Sequence, residues 1–562
     1  MRALTNISLR FRPRLLDDIA GYDRHKLVLD ISAGVTVGIV ALPLAMAFAI
    51  ASGLPPQAGL FTAIVAGFLI SALGGSSVQI GGPAGAFIVV VFSIIERYGV
   101  ANLMIATICA GVLMIVMGML RWGGLVRLIP VSIVLGFTNG IAVLIALSQI
   151  KDFFGLQTAA LPAEFFHKLV AIANSIHTID LTTMAIAVIS LLITVLWPKS
   201  YTEHTSFFGR LIARLPGTLV ALVVGTALVA VFDLQVATIG SAFGQIPQGL
   251  PALSIPAFDW DTVRYLFGPI LTIAFLGAVE SLLCARVADS MTRGKHDPNQ
   301  ELMAQGIANI AAPLFSGFCA TGTIARTVTN IRAGGKTPIA GMVHALTLML
   351  IVLGAATLAD DVPLATLSGI LMFVAWNMGE WREFARLKNF SYAYRTIFLS
   401  TFILTVVMDI TVAVEVGLVL ACLFYINRMS TLTRVEPITE QEKSALGVHD
   451  HEVEIVRITG SLFFGAISKL EGFTESRQKY PRILVVDIAG MIQIDTTGIE
   501  ALGSMHQMLL DHGGELRVAG AMAQPLSLMQ RSGFVDRVGS EFFYATLNEA
   551  CADLRLHPPH SS

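Results

Sequence analysis

The chain has 562 residues, a net charge of −2, 54% hydrophobic residues and 14% charged ones, with a mean hydropathy of +0.72. A soluble domain averages about 25% charged residues, so this deficit points to a multi-pass membrane protein, and the near-neutral balance gives no reason to expect nucleic acid. Five cysteines (Cys109, Cys284, Cys319, Cys422, Cys551) form no C-x-x-C pair and mostly lie in apolar stretches, which speaks against a disulfide framework or a zinc site.

Residues 1–26 carry Arg10, Arg12, Arg14, Asp17 and Asp18 and lack the short apolar core and small-residue cleavage site of a secretory signal. They read as a cytoplasmic segment, followed by a first span that serves as an uncleaved insertion signal. Apolar segments then fall near 27–51, 58–73, 83–95, 101–120, 128–150, 181–197, 215–233, 265–288, 299–315, 322–331, 338–359, 363–376, 396–408 and 412–427. The polar stretch 234–262 divides these fourteen into seven and seven. An odd number of spans per repeat forces the second repeat to be inverted, and the membrane domain is expected over 27–434.

The third segment of each seven is broken. Gly81, Gly82, Pro83, Ala84 and Gly85 run into apolar residues 86–95, and Ser316 to Thr323 run into a short segment carrying Arg326. A bilayer core of about 30 Å needs about 20 helical residues, so neither run spans it. Irregular backbone at membrane depth survives only where protein buries it or where it lines a cavity. Paired broken segments in two halves point to a transporter's binding site, and two exposed helix N-termini favour an anion. The expected contacts are backbone N–H groups of Ala84, Gly85, Ala86, Gly322, Thr323 and Ile324, the hydroxyls of Thr321 and Thr323, and the Arg326 guanidinium.

The positive-inside rule sets the orientation. With the N-terminus cytoplasmic, the inner loops hold Arg121, Arg127, Lys199, Arg210, Arg214, Arg286, Arg293, Lys295, Arg332, Lys336, Arg382, Arg386, Lys388 and Arg395; the outer loops hold Arg97, Lys151 and Lys168. Fourteen against three decides for cytoplasmic termini in the inner membrane. Beyond Arg434 the pattern alternates like a small α/β domain (435–556), with strands expected at 453–458, 483–488 and 516–519, helices at 496–510, 524–531 and 545–554, and a disordered tail over 557–562.

Arg326 and Glu280 are the ionisable residues best placed inside the membrane. A bare charge there costs about 2.5–3.5 kcal/mol on insertion scales and commonly marks a substrate or ion route; the plainer alternative is an ion pair bracing two helices. Gly82, Pro83, Gly317 and Gly322 have helix packing as their alternative. His344 and Cys284 read as packing residues, and Asp409 and Glu415 as capping or gate contacts. Triad, phosphate-loop and metal-cluster patterns are missing from the sequence, so an enzyme is not expected.

At this point the chain resembles the SulP anion permeases, solute carrier family 26, over nearly its whole length. The resemblance rests on Val40, Ala41, Leu42 and Pro43 through Ala47, Phe48 and Ala49, on Gly53, Leu54, Pro55, Pro56, Gly59, Leu60 and Phe61, and on Gly82, Pro83 and Ala84. It continues in Glu280, Ser281, Leu282 and Leu283, Arg286 to Asp289, Asn299 to Leu302, and Thr321, Gly322, Thr323, Ala325, Arg326, Thr327 and Asn330. It implies an α-helical seven-plus-seven inverted repeat split into core and gate domains, a substrate site between the third and tenth half-helices with Phe48 beside it, and a homodimer.

The C-terminal module is similar to a STAS domain, with Asp495, Thr496, Thr497 and Gly498 where antagonist proteins carry Asp-Ser-Ser-Gly. Thr497 is thus a regulatory candidate, with helix capping as the alternative, and a cytoplasmic protein partner is an option. Two departures, Leu44 for a glutamine and Ala325 for a serine, leave fewer polar contacts. Glutamate at 280 looks like the proton-linked branch, and the thiol of Cys284 is a poor sodium ligand. The expectation is therefore proton-coupled symport of a small anion (sulfate, bicarbonate, chloride, nitrate or dicarboxylate) by an elevator-like core movement, with no cofactor. An anion channel, an uncoupled exchanger, a STAS-based sensor and a nucleobase permease are the competing readings.

Overall fold

Long apolar runs interrupted by proline, glycine and charge fold as helices, since only helices satisfy every backbone group inside a bilayer. The computed structural model describes residues 11–124, 129–158, 161–162, 164–197, 216–246, 249, 253–408, 410–475 and 480–556. Each expected segment is a helix. The first repeat comprises α1 (Arg24–Ala51), α2 (Pro56–Leu73), α3 (Ile88–Tyr98), α4 (Val100–Met119), α5 (Val131–Phe154), α6 (Leu181–Leu196) and α7 (Gly217–Phe232). The second comprises α8 (Phe267–Thr292), α9 (Pro298–Leu314), α10 (Ile324–Arg332), α11 (Pro338–Ala355), α12 (Leu364–Met378), α13 (Tyr392–Val407) and α14 (Ile410–Leu432). Among the described residues, seven helices are long and apolar enough to cross a membrane alone.

Contacts sort these helices into two bundles. In one, α9 lies on α4 and α2, α11 on α1 and α2, and α8 on α4; in the other, α5 packs on α12 and α13, and α6 on α7 and α12. Exchanging each helix for its partner in the other repeat converts the α4–α9 contact into α11–α2, and α5–α13 into α12–α6. That is the signature of an inverted repeat. Close backbone approach explains several glycines. A Cβ on Gly111 would lie 2.6 Å from the Gly306 carbonyl, and one on Gly306 would lie 2.4 Å from that of Gly111. Gly136 of α5 and Gly369 of α12 are each the sixth residue of a helix capped by proline, and meet the carbonyls of Phe398 and Ala187 at 2.8 and 2.6 Å.

Buried polar residues tie the first bundle together. Asp30 accepts the N–H of Lys336 at 2.7 Å and of Thr337 at 3.2 Å, the Thr337 hydroxyl at 2.6 Å and the Tyr22 hydroxyl at 3.0 Å. A fixed carboxylate thus sits at the N-terminus of α11, where orphan N–H groups and the helix dipole favour it. The loop after α5 holds a helix that hydropathy did not signal, Phe165–Ser175, bent 115° from α6. His167, Lys168 and Asn174 dilute its apolar residues below the level of a span.

The chain divides into compact units at Leu418/Val419. The second contains a six-stranded sheet of β3 (Arg434–Pro437), β4 (Val453–Leu462), β5 (Ile483–Asp487), β6 (Met491–Ile494), β7 (Glu515–Ala519) and β8 (Phe543–Tyr544), numbered after two short strands described below. The strand order is β3-β4-β5-β7-β8, with β6 also on β4; only β3 runs antiparallel. Helices α15 (Ile467–Glu475), α16 (Thr496–Asp511), α17 (Ala523–Arg531), α18 (Phe534–Val538) and α19 (Leu547–Leu556) accompany it. The expected strands and helices are present; β3, β6, β8 and α15 were too short or too mixed to signal themselves. Arg10, Arg127, Lys199, Arg210, Arg214, Asp409 and the tail 557–562 lie outside the described residues.

Candidate anion site between two half-helices

The two broken segments meet. Strand β1 (Gly81–Gly82) pairs antiparallel with β2 (Thr321–Gly322), with Gly81 opposite Gly322 and Gly82 opposite Thr321. Helix α3 starts beyond β1 after a single tight turn, Gly85–Phe87, and α10 starts one residue past Thr323. They have 11 and 9 residues, about 16 and 13 Å at helical rise, so each covers about half of a bilayer core. Side chains hold the extended backbone in place. Thr327 accepts the N–H of Ile80 at 2.9 Å, Asn330 donates to the Val78 carbonyl at 2.9 Å, and Asn309 brackets Ala320 with bonds of 2.8 and 2.9 Å.

Arg326 lies in the first turn of α10, 1% exposed, and neither Nη1 nor Nη2 has a hydrogen-bond partner. Its Nη1 occupies the place a Cβ on Gly82 would need, 2.3 Å away, and Gly82 has φ +148°. The positive φ favours glycine there, and any side chain would push the guanidinium aside. Among the described residues, the N–H groups of Gly85, Ala86, Ile324, Ala325 and Arg326 donate to no acceptor, as expected of first-turn donors. A buried guanidinium and two sets of orphan donors converge on one place.

Glu280 sits on the face of α8 turned toward this place. Gly277, one turn before it, accepts the Thr321 hydroxyl at 3.0 Å, and Cys284, one turn after it, lies against Gly322 and 3.2 Å from the Thr327 hydroxyl. Glu280 is buried and makes no hydrogen bond or ion pair among the described residues, and Arg326 is equally unpaired. The ion-pair alternative is therefore not what the structure contains. A buried charge without a partner carries a desolvation penalty of several kcal/mol, and both residues are buried with no ion-pair partner among the described residues.

Other expected residues are placed differently. The hydroxyls of Thr321 and Thr323 donate to the Gly277 and Ile80 carbonyls at 3.0 Å each, and the Thr323 N–H bonds Ile80 at 2.8 Å. The two Thr323 groups brace β2 against the approach to β1, and the Thr321 hydroxyl ties β2 to α8; the open donors shift two residues along, to 324–326. Pro83 offers no N–H, and Ala84 caps the turn. Phe48 does reach the site: a Cβ on Gly85 would lie 3.8 Å from its ring, 3.6 Å from Met378 and 3.7 Å from Ile145.

Met378 and Ile145, from the second bundle, were missed, since apolar residues in apolar helices carry no signal. His344 was taken for packing. Its ring is fully buried on α11, both nitrogens lack partners, and it lies 3.3 Å from the Cβ position of Gly67 behind β1. In the second unit the cap of α16 is Asp495, which accepts the Gly498 N–H at 2.8 Å. Thr497 is thus not the cap; its side chain is exposed in the first turn.

Residues 27–401 match the Sulfate permease family and residues 447–550 the STAS domain. The chain belongs to the Sulfate permease family, with a C-terminal STAS domain. It is 41% identical over 526 residues to the putative sulfate transporter YvdB of Bacillus subtilis, covering 93% of this chain and 97% of that one. It is 30% identical over 552 residues to the bicarbonate transporter BicA of Picosynechococcus sp., covering 94% and 95%. The murine Solute Carrier 26 family member A9 anion transporter, solved in an inward-facing state, superposes with a TM-score of 0.85 at 18% identity over 98% of this chain and 96% of that one; at that identity the likeness concerns the fold alone. The expectations of a multi-pass membrane protein, of small-anion transport and of no enzymatic role stand on this membership.

Proposed function

We propose that the protein moves a small oxyanion, sulfate or bicarbonate, together with a proton across the cytoplasmic membrane. The observation that carries this reading is the buried Arg326 guanidinium, with both Nη atoms unpartnered, beside the open N–H groups of two half-helices. Oxyanion oxygens accept such charge-assisted hydrogen bonds, which are about twice as strong as neutral ones. The names of the relatives support the two candidate anions.

Glu280 is the coupling residue in this reading. Ionised, its carboxylate opposes a second negative charge in the site; protonated, it admits one, so anion and proton enter together. Sodium suits the site less, because the nearest polar group on the next turn of α8 is the Cys284 thiol and hard cations take oxygen ligands. The bundle of α1–α4 with α8–α11 would carry the site past the bundle of α5–α7 with α12–α14 as a largely rigid body, as in repeat-built transporters. Homodimerisation, cytoplasmic termini and a protein partner of the STAS domain complete the proposal.

The test is uptake into proteoliposomes and anion-dependent thermal stabilisation of the purified protein. A ligand that binds only the folded state raises its apparent stability. Arg326→Ala should abolish both stabilisation by sulfate or bicarbonate and uptake; retained affinity would make Arg326 structural. Glu280→Gln should keep anion exchange and lose stimulation by an inward proton gradient. Unchanged pH dependence in that variant would remove Glu280 from the coupling.

A further inference from the structure

At the end of the membrane unit away from Arg24, where α1 finishes, lies a cavity of about 630 Å³ walled by α3, the end of α5 and the Phe165–Ser175 helix. Lys168, from that helix, lines it. Lys168 is only 6% exposed. Its ammonium makes no hydrogen bond or ion pair among the described residues, and its nearest described aromatic contact is the Phe92 ring, 5.6 Å from the nitrogen. A lysine on a surface helix normally extends its charge to water; this one is turned inward, into a cavity. Arg97, at the last turn of α3, is a second cation on the lining. Lys151 adds a third, and Asp152 and Glu164 place two carboxylates on the same lining. Glu96 acts on Lys168 electrostatically without bonding it.

We propose that Lys168 is the docking cation of an outer anion subsite, in which a small oxyanion sheds part of its water before it reaches Arg326. The inference rests on the transport reading above. Phe92 stands four residues beyond the start of α3, about 6 Å along the helix, so the subsite and the half-helix site share one short helix. The Phe165–Ser175 helix packs on α13 of the second bundle, whereas Phe92 belongs to the first. The pocket therefore spans the seam between the two bundles, with the cation on one side and the aromatic wall on the other. A cation–π contact only partly replaces hydration of an ammonium group, and an incoming anion supplies the missing counter-charge.

The experiment uses the full chain in proteoliposomes of sorted orientation, with sulfate and bicarbonate each presented to one face at a time. Lys168→Gln should raise KM about tenfold for anion offered at the cavity face, the effect of losing one charge-assisted contact. It should leave kcat and the KM from the opposite face within about twofold, and Lys168→Arg should restore the first KM. Equal KM changes from both faces, a fall in kcat alone, or no change would overturn the subsite. If Lys168→Gln fails to give a monodisperse protein, Arg97→Gln decides: a severalfold rise in the same one-sided KM supports the subsite, and an unaltered KM overturns it. A wild-type protein that moves neither anion overturns the transport reading and the inference together, whereas an active wild type with an unaffected Lys168→Gln overturns the inference only.

Discussion

Gly82 leaves the space that the Arg326 guanidinium fills, so a side chain at 82 displaces it. A methyl group on Gly82 would collide with Nη1 at 2.3 Å, at a φ of +148° that side chains rarely adopt. Gly82→Ala should therefore displace the guanidinium from the β1–β2 pair and weaken anion binding about tenfold or more, while the protein still purifies as a folded species. Anion-dependent shifts in melting temperature measure this; an unchanged shift would mean that the guanidinium position does not govern affinity. Arg326 and Glu280 stood out in the sequence because a charge inside an apolar run is costly, and it took the structure to remove the ion-pair alternative. The threonines misled for a physical reason. A hydroxyl at a helix N-terminus looks like a ligand donor, yet the register of β1 on β2 turns Thr321 and Thr323 onto the Gly277 and Ile80 carbonyls. Pairing across 240 residues of intervening chain leaves no local trace, and neither does the apolar wall of Ile145 and Met378.

The half-helices persist only because other elements hold their extended approaches. Asn309, buried on α9, donates to the Ala320 carbonyl and accepts its N–H at 2.9 and 2.8 Å. Asn309→Leu would remove both bonds and strand a buried donor and acceptor, at a cost of about 2–6 kcal/mol, since each orphaned buried group costs about 1–3. Thermal unfolding in detergent should show the loss, and anion binding should fall with it, since β2 would no longer be fixed. A variant of wild-type stability would show that the strand holds without its clamp. Helix existence was readable from hydropathy, and the break in each repeat from glycine and proline. The Phe165–Ser175 helix was not readable, because its polar residues mask its period, and β3, β6 and β8 are too short to alternate visibly.

At the scale of the whole chain, the seven-plus-seven count was legible and the family resemblance implied a core and a gate domain, whereas which helices touch became visible only through contacts such as the Gly136–Phe398 and Gly369–Ala187 approaches. The division at Leu418/Val419 has a thermodynamic consequence, since separate compact units need not unfold in one transition. In the second unit Tyr544 donates to Asp553 at 2.8 Å, and Arg517 bonds the same carboxylate at 2.6 Å and Glu515 at 2.6 Å. Burial, and then the bond to Asp553, push the Tyr544 phenol up to about 12. A folded value above the unfolded value of about 10 means that the neutral phenol is favoured in the native state. Its contribution is complete below pH 10 and disappears as the pH rises toward 12, because the unfolded chain then releases the proton first. The membrane unit has its own alkaline group, Tyr22, also pushed up to about 12 by burial and by Asp30, so both units should weaken in that window. Tyr544→Phe separates them. It should lower the stability of the second unit near neutral pH, flatten that unit's decline between pH 10 and 12, and leave the decline of the membrane unit unaltered. Calorimetry or domain-resolved proteolysis across the window would show it, and an alkaline decline of the second unit as steep as in the wild type would place its origin in another group.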